Sequence, residues 1–372
     1  MAKSQSLESN DLEEMSSDEE FVFPPAERKV VTQPVDLSVS TLIEQWGTGH
    51  ISLPPIQREY VWDNGKASRL AESLLLNIPI PVLYFSETPD ATYEVIDGHQ
   101  RVNSIARFVK NEFALSGLAV LREYQGMRFH QLPVREQRFL TMRTLRVIII
   151  SIDSHPSMKF EIFERLNTGA ISLNAQELRN SIYRGTFNEA LHQFASYDQL
   201  RLLIGTRAPR RRMVDEELVL RFLALREQLS TYRTPLKRFL NNFMATKQNF
   251  DDDALASATT TFIETISQVT AIFGNRAFRN IDASTGAPDT TINRALFDAQ
   301  MLACSWVQSE PTQKQVTSVR DLLTALFSHE DFLDSIQRAT GDRSRTIKRL
   351  RYVVRIIAEA GIPVNVPFDL ER

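Results

Sequence analysis

Two hydrophobic rhythms divide the chain. Up to about residue 152, short apolar runs alternate with stretches of helical period; beyond Pro156 almost only the helical period remains. In the first part, Leu42, Ile43 and Trp46 predict a short helix over 38–47, and Leu70, Leu74 and Leu75 predict another over 63–77. Val102, Ile105, Ala106 and Val109 recur at three- and four-residue spacing, which predicts an amphipathic helix over 98–110; a further helix is expected over 134–143. Between them, 81–86, 93–96 and 145–152 read as strands, the first two joined by a turn at Thr88, Pro89 and Asp90. The stretch 51–62 is extended and interrupted by Pro54 and Pro55.

In the second part, helical periodicity covers 157–167, 174–184, 186–196, 213–229, 235–248, 253–273, 292–308, 316–326, 330–338 and 343–360. Helix-stopping residues such as Gly185, Gly205, Gly274, Pro311 and Gly341 fall between these segments. No internal repeat of fixed period is found. The fold class expected is therefore α+β, with a mixed domain over 28–155 followed by an α-helical region over 156–372 and no flexible linker between them. Residues 1–27 are rich in Ser and Glu, end in Pro24 and Pro25, and read as a disordered acidic tail.

Composition narrows the chemistry. A single cysteine, Cys304, excludes an intramolecular disulfide framework and any cysteine-based zinc site. No apolar run approaches the roughly 18–20 residues of a membrane span, and no basic stretch followed by an apolar one opens the chain, so a cytoplasmic protein without a membrane partner is expected. The net charge of −3 hides an asymmetry: seven acids against Lys3 in residues 1–20 leave the remainder at +3. Whole-chain charge thus neither demands nor forbids a nucleic acid, and binding would have to come from clusters. Arg201, Arg207, Arg210, Arg211 and Arg212 crowd one loop; of these, Arg207, Arg210, Arg211 and Arg212 are the expected DNA contacts. Arg343, Arg345, Lys348, Arg349, Arg351 and Arg355 crowd the last helix, where a solvated helix face is the competing explanation.

Familiar hydrolase signatures are missing. The sequence has no Gly-x-x-x-x-Gly-Lys-Ser/Thr loop, no His-Glu-x-x-His, no His-Asn-His and no Gly-x-Ser-x-Gly, and its six histidines are scattered singly.

Three constellations remain. In Ile96-Asp97-Gly98-His99-Gln100-Arg101 an apolar strand runs straight into a helix, whose N-terminal N–H groups suit an anion. Gly98 permits close approach of a ligand, Arg101 offers a planar donor fork, and Asp97 could hold a divalent metal or orient a water. A plain helix cap at Asp97 with a surface pair at Arg101 fits the same residues. The second is Leu53 to Trp62, which places Gln57, Arg58 and two aromatics in an extended stretch; core-filling aromatics on an edge segment fit it equally. The third pairs Phe163 with Asn167 on one helix face, followed by Gly169, which is also an ordinary helix C-terminus.

In this order the three resemble the N-terminal domain of GmrSD-type, modification-dependent restriction endonucleases, whose core is similar to the ParB/sulfiredoxin fold. The Pro-x-x-Gln-Arg motif of that family is matched by Gln57 and Arg58, its Asp-Gly-Gln-Gln-Arg motif by Asp97, Gly98, Gln100 and Arg101, and its Phe-x-x-x-Asn motif by Phe163 and Asn167. The likeness extends over residues 35–250. It implies a nucleotide pocket formed by Gln57, Arg58, Gly98, His99, Gln100, Arg101 and Asn167. Asp97 and Arg101 would be catalytic, and Asp97 the metal ligand. A nucleoside triphosphate with Mg²⁺ is the cofactor so implied, and DNA and a separate nuclease subunit are the partners; a homo-oligomer is compatible with the sequence. Two departures bear on this. His99 replaces the first glutamine of the second motif, and no HNH-like nuclease stretch follows. The expected function is a nucleotide-binding, NTP-hydrolysing component of a DNA restriction or phage-defence system. Its rivals are a non-catalytic DNA- or protein-binding adaptor on the same fold and a nicking enzyme using Asp97 with a metal.

Overall fold

The computed structural model describes residues 23–54, 60–166 and 173–367. Two compact units emerge, one over 23–173 and one over the described residues from Asn174 onward. The expected boundary at 155 moves to 173, because the helix beginning at Pro156 packs on the sheet.

The first unit is built on a mixed five-stranded sheet: β1 (Thr32–Ser38), β2 (Ile51–Ser52), β3 (Leu83–Glu87), β4 (Tyr93–Asp97) and β5 (Thr144–Ile150), in the order β1-β5-β3-β4-β2. β1 runs antiparallel to β5 and β3 antiparallel to β4, whereas β3 is parallel to β5 and β2 parallel to β4. Alternation places Leu145, Val147 and Ile149 of β5 in the core beside Leu83 and Phe85 of β3 and Val95 of β4. Against them lie α1 (Val39–Gly47), α2 (Asn64–Leu75) and α3 (His99–Val109), contributing among others Leu42, Leu70, Leu74, Ile105 and Phe108. Ser38 and Asp63 start α1 and α2 by accepting from the backbone N–H of Thr41 and Lys66. α4 (Val134–Met142) precedes β5, and α5 (Pro156–Leu166) approaches β4.

β1 was not expected. Its sequence contains Pro34 and is largely exposed, so no strand period stands out; it is tolerated because β1 is an edge strand with a single neighbour.

The second unit is helical: α6 (Ala175–Ile182), α7 (Thr186–Ala195), α8 (Asp198–Ile204), α9 (Val214–Gln228), α10 (Leu236–Lys247), α11 (Asp252–Phe273), α12 (Arg294–Cys304), α13 (Gln313–Leu326), α14 (Glu330–Gln337) and α15 (Arg343–Glu359). Every residue of α12 from Ala295 to Cys304 is buried, as is most of α9, so these two form the centre around which α7, α11 and α15 pack. Burial pushes the Cys304 thiol well above its ordinary range, as befits a structural residue.

Candidate functional site

β4 ends at Asp97 and α3 begins at His99, leaving Gly98 as the whole connection. Gly98 has φ +102°, and a Cβ placed on it would collide with the Leu83 side chain of the neighbouring strand. Both facts require glycine here: the turn needs a left-handed backbone and the strands leave no room. With glycine at the N-cap, α3 has no side-chain cap among the described residues, and N–H groups of a helix's first turn suit an external acceptor.

Asp97 and Arg101 stand one helical turn apart. Arg101 Nη2 donates to Asp97 Oδ2 at 2.6 Å, while Nη1 donates to the carbonyl of Pro81 and, at 3.3 Å, to that of Val82. The Arg101 side chain is 13% exposed and that of Asp97 42%. Burial lowers the guanidinium pKa, and the Asp97 charge acts in the opposite direction. The donor fork expected to meet a phosphate is thus engaged with protein oxygens, joining the entry of β3 to the exit of β4. Asp97, by contrast, keeps an exposed carboxylate beside the uncapped helix end.

The other residues of the motif divide their roles. Gln100 Oε1 accepts from the backbone N–H of Val61 at 3.0 Å and of Trp62 at 3.1 Å. Tyr60 Oη shares a hydrogen bond with Ser104 Oγ at 2.9 Å, and the Arg107 guanidinium lies 4.5 Å from the Tyr60 ring centroid. The Nε2 of His99 is buried and has no hydrogen-bond partner among the described residues, and burial lowers the pKa of the ring. Phe163, on α5, is buried. Gln57, Arg58 and Asn167 lie outside the described residues. The Tyr60–Ser104 contact and the carbonyls that hold Arg101 had no sequence signal, since each joins residues far apart in the chain.

Residues 39–184 match the sequence profile of the GmrSD restriction endonuclease, N-terminal domain. These residues form a GmrSD-type N-terminal domain. The GmrSD-type segment spans α1 through α6 and contains the whole Asp97–Arg101 junction. No curated protein matches the chain.

The basic clusters of the helical unit lie outside the GmrSD-type segment. Arg210 donates from Nε to Asp215 Oδ1 at 2.6 Å and from its backbone N–H to Oδ2 at 2.7 Å, which makes it the partner of a buried carboxylate. Arg212 Nη2 lies 3.5 Å from Glu177 Oε2. Arg207 is exposed, and Arg211 opens the short turn Arg211–Met213. On α15, Arg349 is fully buried: its Nη2 donates to Asp298 Oδ2 at 3.2 Å, and the same oxygen accepts from Arg221 Nη2 at 2.7 Å. Arg345, Lys348 and Arg355 pair with Asp334, Asp331 and Glu359. Much of the basic run on the last helix is therefore spent within the unit.

Among the described residues, no group of three or more His, Cys, Asp or Glu side chains converges to hold a metal ion, and no helix is long and apolar enough to cross a membrane.

Proposed function

We propose that this protein is the nucleotide-binding, NTP-hydrolysing component of a DNA restriction or phage-defence system, in which turnover gates engagement of DNA and a separate nuclease makes the cut. The observation that carries this reading is the junction at Gly98. An uncapped helix N-terminus, a glycine that admits close approach and a half-exposed Asp97 meet inside the GmrSD-type segment. Phosphate oxygens would lie against the N–H groups of α3. Asp97 would be the residue to hold a Mg²⁺, an ion that keeps much of its water and needs few protein ligands. The ion would supply charge neutralisation at the phosphates. Asp97, held in place by Arg101, would orient the attacking water.

A non-catalytic adaptor is the second reading, and the internal engagement of Arg101 favours it: both Nη groups already have acceptors, so a bound phosphate gains no free fork. Calorimetry with the common nucleoside triphosphates, followed by a phosphate-release assay with and without DNA, separates the two. Binding with release that Asp97→Ala abolishes supports hydrolysis; binding without release leaves the adaptor. No binding of any triphosphate by the folded wild type, with or without DNA, overturns the nucleotide site.

A further inference from the structure

In the Asp-Gly-His-Gln-Arg stretch, the side-chain oxygen of Gln100 is engaged by backbone N–H groups of a distant segment. We infer that Gln100 is a positioning residue, which fixes the backbone of Val61 and Trp62 against the first turn of α3. The rest of the argument lies on one helix face. Gln100, Ser104 and Arg107 are spaced by four and three residues and so lie in line along α3. Each meets the same short segment: Gln100 Oε1 receives two backbone N–H groups, Ser104 Oγ meets the Tyr60 hydroxyl, and Arg107 covers the Tyr60 ring. Ser104 also donates to the Gln100 carbonyl at 2.7 Å, tying the members of the row together. A side-chain oxygen that already accepts two N–H groups has its lone pairs committed, and neither donor comes from a ligand.

The segment so held follows Gln57 and Arg58 in the sequence with only Glu59 between, and leads through Asp63 into α2. Gln100 therefore links the start of α3, where Asp97 and Gly98 sit, to the stretch that follows Gln57 and Arg58 in the sequence. Its contribution to turnover rests on the nucleotide reading above; its structural action does not. A residue that works by positioning should affect kcat more than KM, because misplacement penalises the reacting geometry more than ground-state binding.

Hydrogen–deuterium exchange on the full chain tests the structural action without any nucleotide. Gln100→Ala should speed exchange at the Val61 and Trp62 amides at least tenfold, while Gln100→Glu, whose carboxylate can accept the same two N–H groups, should keep them protected. Tyr60→Phe, which retains the ring under Arg107 and removes only the hydroxyl, should loosen the segment to a smaller extent. In steady-state assays Gln100→Ala should lower kcat at least tenfold with KM within threefold of wild type, and Gln100→Glu should restore most of it. Unchanged exchange in Gln100→Ala would overturn the inference. Failure of the wild type to bind any triphosphate would remove the nucleotide reading alone, and the exchange comparison would still decide the role of Gln100.

Discussion

Arg101 reaches back one helical turn to Asp97, Nη2 to Oδ2 at 2.6 Å, while its other terminal nitrogen holds the carbonyls that precede β3. This one side chain therefore orients the exposed carboxylate and joins two strands. Arg101→Ala should lower stability by about 1–2 kcal/mol in the absence of any ligand, the scale of losing charged hydrogen bonds to acceptors that are themselves partly exposed. Arg101→Lys should recover the pairing with Asp97 but not the span to both carbonyls. Urea unfolding of the two variants checks this; an Arg101→Ala protein as stable as wild type would show that the guanidinium serves a ligand and not the fold.

Gly98→Ala should be costly for two separate reasons. A left-handed φ of +102° strains any residue with a Cβ, and that Cβ would also press into Leu83. Together these should cost about 2–4 kcal/mol. A shift in the denaturation midpoint of Gly98→Ala at unchanged slope is the expected signature.

The buried ring of His99 gives the junction a pH dependence. Burial lowers its pKa from the ordinary value of 6.5, so the unfolded chain takes up a proton more readily than the folded one. Stability from this group is therefore complete above pH 6.5, declines as the pH falls below that value, and is fully lost once the lowered folded-state pKa is passed. Thermal melts between pH 7.5 and 5.5 should show a smaller drop for His99→Gln than for wild type. Parallel curves for the two proteins would remove His99 from the account.

In the helical unit, Asp298 is the shared acceptor of Arg221 and Arg349, all three buried. Burial pushes the Arg349 pKa down to about 10, with Asp298 acting in the opposite sense. Replacing Asp298 by Asn removes the carboxylate that the two guanidinium groups share, while Glu217 stays 3.9 Å from Arg221. The expected loss is about 3–5 kcal/mol, measured by chemical denaturation. The Arg349→Met variant should be milder, since it removes a buried charge along with the pair.

DNA binding, if it uses the arginine loop, should distinguish Arg207 from Arg210. Arg207 is exposed, and Arg207→Ala should reduce the slope of log affinity against log salt by about one. Arg210 holds Asp215, so Arg210→Ala should reduce stability first. Fluorescence anisotropy across a salt series, with melting temperatures measured alongside, tells the two effects apart.

Local rules made much of this protein legible. The helix expected over 98–110 is α3 at 99–109, and that over 343–360 is α15 at 343–359, because the apolar period, with the Asp342 cap in the second case, acts over neighbouring turns. The α+β-then-α division was legible for the same reason. So was the Asp97-Gly98 junction, where a strand pattern meets a helix pattern across a glycine. α8 (Asp198–Ile204) was missed: seven residues are too few to establish a period, although Leu200, Leu203 and Ile204 prove to be buried. β1 was missed because an edge strand takes its stability from β5, more than a hundred residues away in the chain. The carbonyls that hold Arg101 and the partners of Gln100 and Arg349 follow the same division. Sequence supplied the charge or amide, but only the tertiary structure decided which oxygens and N–H groups each would meet. That choice depends on which distant segments the sheet and the helix packing bring within about 3 Å, the range over which a hydrogen bond acts.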